Sequence, residues 1–123
     1  MKYARIFVTG DGGSSMEDIE VETSPVNFVP GEPAFNVSAP DSAESVKFLR
    51  ISGDWYGGWH PTPVRQFLIV LAGGFESKTT DAKSRRFETG DIVLLEDTEG
   101  RGHETRMFEG VETLVAAIEL KSL

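Results

Sequence analysis

Two histidines, His60 and His103, are the side chains best suited to chemistry in this 123-residue chain. Neutral imidazole is the commonest metal ligand, and it takes or gives a proton near neutral pH. His60 opens the run W-H-P-T-P-V-R-Q-F-L-I-V-L-A-G over residues 59–73, which also holds the longest apolar stretch. Thr62 and Gln66 share its parity, so on one extended strand the three side chains would project to the same face. His103 follows a second strand-like run far along the chain. Each histidine alone reads most simply as a side chain satisfied in a polar spot. Brought together, they would make a small polar site on an apolar wall.

Other candidates are weaker. The Gly10-Asp11-Gly12-Gly13-Ser14-Ser15 cluster lacks the lysine of a phosphate-binding loop and precedes no helix, so it reads as a hairpin turn. No G-x-S-x-G elbow is present to support a serine nucleophile. The acidic pair Glu96/Asp97 reads as a solvated loop. Trp55, Tyr56 and Trp59 form an aromatic loop that could line a ligand pocket, with Tyr56 and Trp59 as ligand-contacting candidates, or simply close a barrel end. Arg65 has the opposite parity to Gln66, which puts it on the outer face, where it would pair with a carboxylate at an interface.

Composition narrows the classes. A net charge of −8 speaks against nucleic acid or an anionic membrane as partner, because either needs a basic surface. The chain has no cysteine, so disulfides, thiolate metal sites and cysteine nucleophiles are excluded. Residues 1–10 hold no apolar core of secretion-signal length, and residues 67–72 are too short to span a bilayer; the expectation is a cytoplasmic protein.

The elements that must position the histidines read as short strands. Residues 3–9 and 16–23 alternate as a hairpin, and residues 44–52 form a third strand. Between them, residues 24–41 carry four prolines and read as an ordered loop or arm with apolar anchors at Val26, Phe28, Phe35 and Val37. Residues 53–58 read as a loop, and pairing resumes near Val64 because Pro61 and Pro63 cannot donate to a ladder. Gly73-Gly74 turns the chain so that residues 75–80 pair back, and residues 83–87 continue the meander. Residues 92–95 are apolar on both faces, and residues 103–108 and 111–120 finish as a hairpin. With no sustained helical period, the chain reads as a single all-β domain, an antiparallel jelly-roll sandwich or barrel with little or no helix. Its parts are an N-terminal hairpin (1–23), a proline-rich arm (24–41) and a barrel (44–120).

The residue 59–73 run, followed by G-D-I-V-L-L-E-D-T-E-G-R-G-H, resembles the two halves of the cupin signature, G-x5-H-x-H-x3,4-E-x6-G and G-x5-P-x-G-x2-H-x3-N. His60, Thr62, Gln66 and Gly73 fall at matching spacing, then Gly90 and His103. The resemblance spans residues 55–108, and W-H-P-x-P-x-R-Q-F with E-D-T-x-G-x-G-H is similar to a group of small single-domain cupins generally without assigned function. It implies the cupin fold, a barrel pocket for a small organic ligand, and a sheet-to-sheet homodimer, for which the arm is suited.

The departures bear on activity. Thr62 stands where the motif has its second histidine, Gln66 where it has glutamate, Glu96 where it has proline, and the loop before His103 is two residues longer. A metal set of His60, Gln66 and His103 would hold zinc, nickel or iron weakly, since the anion that offsets a divalent charge is missing. Two enzymatic readings stay open, metal-dependent oxygenation and metal-free isomerisation or proton transfer, both using His60 and His103 with Thr62 and Gln66 alongside. A non-catalytic ligand-binding or structural module with a degenerate metal site is the alternative.

Overall fold

The computed structural model describes residues 1–122, and all regular structure among them is strand. In chain order the strands are β1 (Lys2–Val8), β2 (Ser14–Glu20), β3 (Thr23–Val26), β4 (Phe35–Ser38), β5 (Ala43–Ile51), β6 (Tyr56–His60), β7 (Gln66–Ala72), β8 (Gly74–Lys78), β9 (Ser84–Glu88), β10 (Ile92–Leu95), β11 (His103–Met107) and β12 (Thr113–Leu120). A six-stranded sheet, β2-β1-β10-β7-β12-β5, faces a four-stranded sheet, β6-β11-β8-β9. From β5 to β8 the chain changes sheet at every strand, and it changes again into β10, β11 and β12. This is the jelly-roll expectation met.

Period-two alternation builds the core between the sheets. Ala4 and Ile6 of β1, Val93 and Leu95 of β10, Val70 of β7 and Val115 of β12 point inward from the larger sheet. Phe75, Phe87 and Met107 meet them from the smaller one. Losing the Phe75 or Phe87 ring would cost about 3–5 kcal/mol, the range for emptying an aromatic core position.

Several local expectations are corrected. One seam is parallel, because β1 lies alongside β10 with Ala4 opposite Val93 and Ile6 opposite Leu95. That register puts the inward residues of the N-terminal hairpin into the same core, so the hairpin is part of the barrel wall. Gly73, at φ 72°, does not turn β7 into a hairpin with β8; it sends the chain to the other sheet, where β8 pairs with β11 and β9. β11 and β12 likewise lie in different sheets. Residues 56–60, of which 56–58 read as loop, are a strand paired with β11. The proline-rich arm contains a two-stranded ribbon, β3 with β4, in which Pro25 sits opposite Asn36. Both strands of such a ribbon are edges, the one sheet context where proline's missing N–H is tolerated.

The outer face of the six-stranded sheet is also apolar. Val46, Phe48 and Leu71 are exposed there, with Phe67, Ile69 and Ile118 half-buried beside them. The arm leaves Val26, Phe28, Val29 and Phe35 exposed as well, with the Phe28 and Phe35 rings stacked.

Candidate functional site

His60 ends β6, Gln66 begins β7 and His103 begins β11. The first and last belong to the smaller sheet and the second to the larger, so these residues meet across the sandwich rather than along one strand. The same-parity argument for residues 60–66 is therefore corrected. Residues 61–65 cross from one sheet to the other, and Pro61 and Pro63 fall in that crossing.

Where the sheets part, a cavity of about 150 Å³ opens. Its smaller-sheet wall carries His60, His103, Thr105 and Ser77, and its larger-sheet wall Leu49, Ile51, Leu68 and Val115. Phe75, Met107 and Leu95 are also in the lining, as are Thr62, Pro63, Gln66 and Trp55. The smaller-sheet wall is polar at His60, Ser77, His103 and Thr105 beside Phe75 and Met107, and the larger-sheet wall is apolar except at Gln66.

The histidines are direct register partners, and their ring centroids lie 4.9 Å apart. His60 Nδ1 lies 2.5 Å from the Gly58 carbonyl oxygen. A carbonyl can only accept, so Nδ1 carries the hydrogen and Nε2 is the free nitrogen. His103 Nδ1 donates to Asp97 Oδ2 at 2.5 Å, which leaves its Nε2 free in the same way. Both imidazoles are thus held in one tautomer by groups behind them.

Asp97 corrects the reading of residues 96–97 as a solvated loop. Its side chain is fully buried, and Oδ1 has no hydrogen-bond partner. Its backbone carbonyl accepts the Thr62 N–H at 3.0 Å. Asp97 therefore ties the crossing segment to the histidine loop as well as orienting His103. A sequence signal for it exists: Val93, Leu95 and Asp97 share the inward parity that continues β10.

Glu96, on the opposite parity, points outward and bridges Arg5 and Arg65, the latter at 2.5 Å. Burial pushes its carboxyl up, but the hydrogen bonds and charges of the two guanidinium groups outweigh that and hold it below the usual carboxylate range. Arg65 thus finds its carboxylate within the chain. The loop is pinned at its other end too, where Ser14 Oγ donates to the Gly102 carbonyl at 2.6 Å and the Arg101 N–H to Gly12. Gly102 is at φ 75°, and a side chain there would overlap the His60 carbonyl.

Thr62 is buried, and its hydroxyl donates to the Val64 carbonyl at 2.7 Å while accepting from Gln66 Nε2 at 3.2 Å. With its one hydrogen committed, Thr62 can only receive the Gln66 N–H, which turns the Gln66 amide oxygen away from it. Thr62 thus positions Gln66 from within the cavity lining. Three donors are left uncommitted: Nε2 of each histidine and Oε1 of Gln66. This neutral set fits a borderline divalent ion, with water filling the shell, and lacks an anion to hold it tightly. Among the described residues no three His, Cys, Asp or Glu side chains converge as a metal group.

Of the aromatic candidates, Trp55 lines the cavity, whereas Tyr56 and Trp59 lie outside it. The Tyr56 hydroxyl donates to Glu104 at 2.5 Å, which pushes its phenol above the usual value, and Arg106 stacks on its ring. The cause is a register shift. His60 pairs with His103 and Gly57 with Thr105, so β6 holds one extra residue between them and its facing reverses. Gly57 thereby faces the cavity, where a β-carbon would press on the Trp55 ring.

No protein-family model and no curated protein matches this chain. Among solved structures it is similar to DMSP lyase DddQ from Ruegeria pomeroyi at 22% identity and a TM-score of 0.53, covering 82% of this chain and 48% of that one. This chain thus spans about half the length of the lyase. It is also similar to protein NMB1881 from Neisseria meningitidis, at 18% identity and a TM-score of 0.48, covering 81% and 84% of the two chains. The likeness to the lyase is one of fold: an all-β jelly roll.

Proposed function

We propose that the cavity is the active site of a small cupin-type enzyme that moves a proton on a small organic molecule. His103 Nε2 is the general base, and His60 Nε2 is the second acid-base group. Asp97 is a positioning residue. The observation that carries this reading is the buried Asp97–His103 pair on the cavity wall with the His60 ring 4.9 Å away.

The sequence of events uses only these side chains. Asp97 holds the proton of His103 on Nδ1, so Nε2 presents its lone pair to the cavity. When Nε2 takes a proton, the imidazolium faces a carboxylate that has no other cation beside it. That ion pair offsets the charge on a buried side chain. His60, held by Gly58 with its own Nε2 bare, is close enough to take that proton from His103 and deliver it to a second atom of the same molecule, as an isomerisation requires. Gln66, fixed by Thr62, offers its amide oxygen to a donor on the ligand.

A second reading is supported by the same pair of open Nε2 atoms. His60, His103 and Gln66 would hold a divalent ion, which would polarise a bound carbonyl or acidify a bound water. Asp97 would then stand behind a metal-ligating histidine, a common arrangement around such ions. The expectation of zinc, nickel or iron held weakly, with or without oxygenation, belongs here.

The experiment is exchange of substrate α-protons for deuterium, followed by NMR in heavy water for a panel of small ketones. Metal content of the same preparation is measured in parallel. Exchange by metal-free protein that is lost in His103→Ala supports the base. Exchange that requires stoichiometric metal supports the second reading. Binding without exchange in either state overturns both in favour of a non-catalytic module.

A further inference from the structure

We infer that the ligand is an uncharged carbonyl compound with an apolar body about the size of one six-membered ring. The proton step below rests on the base assigned to His103, whereas the ligand class rests on the cavity itself.

Size is set by the volume. A cavity of about 150 Å³ is the volume that accommodates benzene in an apolar protein interior. Charge is set by the lining, which holds no lysine, arginine, aspartate or glutamate. A carboxylate entering it would find no cation and would sit near the buried negative charge of Asp97. An ammonium would find only neutral acceptors, Nε2 of each histidine and Oε1 of Gln66, with one aromatic, Trp55, and no cage of rings. Either ion would be desolvated with no opposite charge in the lining to pair with it.

The carbonyl is set by the polar wall. Ser77 Oγ and Thr105 Oγ1 lie 3.0 Å apart and share one hydrogen bond. Two hydroxyls carry two hydrogens and that bond uses one, so one hydrogen remains for a ligand acceptor. Thr105 follows His103 by two residues on β11, so both face the cavity from the same strand. A carbonyl oxygen at the hydroxyl pair places the adjoining carbon toward His103. There the Cα–H bond breaks and its proton passes to Nε2. Its electron pair forms the C=C bond while the carbonyl π pair moves onto oxygen, and the enolate oxygen receives the hydroxyl hydrogen bond. Return of that same proton from His103 Nε2, directly or by way of His60 Nε2 beside it, regenerates a neutral carbonyl compound, so the step is balanced without another reactant.

The test is a binding series read by NMR shifts of the two imidazoles. Its probes are cyclohexanone, benzoate, cyclohexylammonium and the bicyclic 2-decalone. The expected result is saturable binding of cyclohexanone at least tenfold tighter than either ion, no binding of 2-decalone, and a several-fold loss in Ser77→Ala. Equal or tighter binding of benzoate or cyclohexylammonium overturns the uncharged class. Absence of cyclohexanone binding at tens of millimolar, or tight binding of 2-decalone, overturns the assigned size. An unchanged affinity in Ser77→Ala overturns the carbonyl anchor. Failure of the base is separable: cyclohexanone would then bind as expected without exchanging its α-protons.

Discussion

A carboxylate sealed from solvent, with one oxygen on an imidazole and the other unpartnered, depends on that imidazole for its compensation. This makes Asp97 and His103 a functional unit, because removing either leaves the other without its partner. Asp97→Asn keeps the shape but lets the amide donate to His103 Nδ1, which drives the proton to Nε2 and removes the base. The expected loss of α-proton exchange is on the order of 10³–10⁴-fold, as for the wrong tautomer in a serine-protease triad. Thermal unfolding would separate this loss from simple instability, since an isosteric change should leave the barrel folded. His60, Gln66 and His103 were legible in the sequence through their spacing, and the structure brings them to one cavity. Asp97 was hidden by its charged neighbours in E-D-T-E-G-R-G; only the parity continued from Val93 and Leu95 marks it as inward.

At the scale of elements, the site depends on two close approaches. β6 meets the start of β11 where Gly102 has no side chain, and the register shift on β6 turns His60 into the cavity while Tyr56 faces out. Gly102→Ala combines a left-handed backbone with overlap against the His60 carbonyl, so it should destabilise the protein by more than about 2 kcal/mol. Gly10→Ala, which meets nothing, should be near neutral. Urea unfolding of the two variants checks this, and an equal effect would contradict it. Strand existence was legible from alternation and turn residues. Strand partnership was not, because residues 73–74 and 109–110 look the same whether a chain makes a hairpin or changes sheet. The extra residue on β6 leaves no trace in composition either, and it is what excludes Tyr56 from the cavity.

For the whole molecule, Glu96 links three segments through Arg5 and Arg65. Its carboxyl is held below its usual value near 4.5, so it contributes stability that is present above that pH and lost as pH falls through the lower folded value. Glu96→Gln should therefore cost about 1–2 kcal/mol at pH 7. Below about pH 4.5 the difference from the parent protein should shrink, as chemical unfolding across pH would report. The molecule also leaves two apolar surfaces uncovered, the outer sheet face with Phe48 and the arm with Phe28 and Phe35. We expect a second copy of this chain to cover them, since a two-fold pairing would bury the same face in both copies. Sedimentation should show a dimer at micromolar concentration that Phe48→Glu splits; a parent protein that sediments as monomer contradicts it.

The proton on each histidine tests the central claim most directly. Two-bond ¹H–¹⁵N spectra at neutral pH should show both imidazoles protonated at Nδ1 with Nε2 bare, and the Asp97→Asn protein should show His103 protonated at Nε2 while His60 is unchanged. A parent protein in which His103 carries its proton on Nε2 would contradict the account, because His103 would then present no lone pair to the cavity.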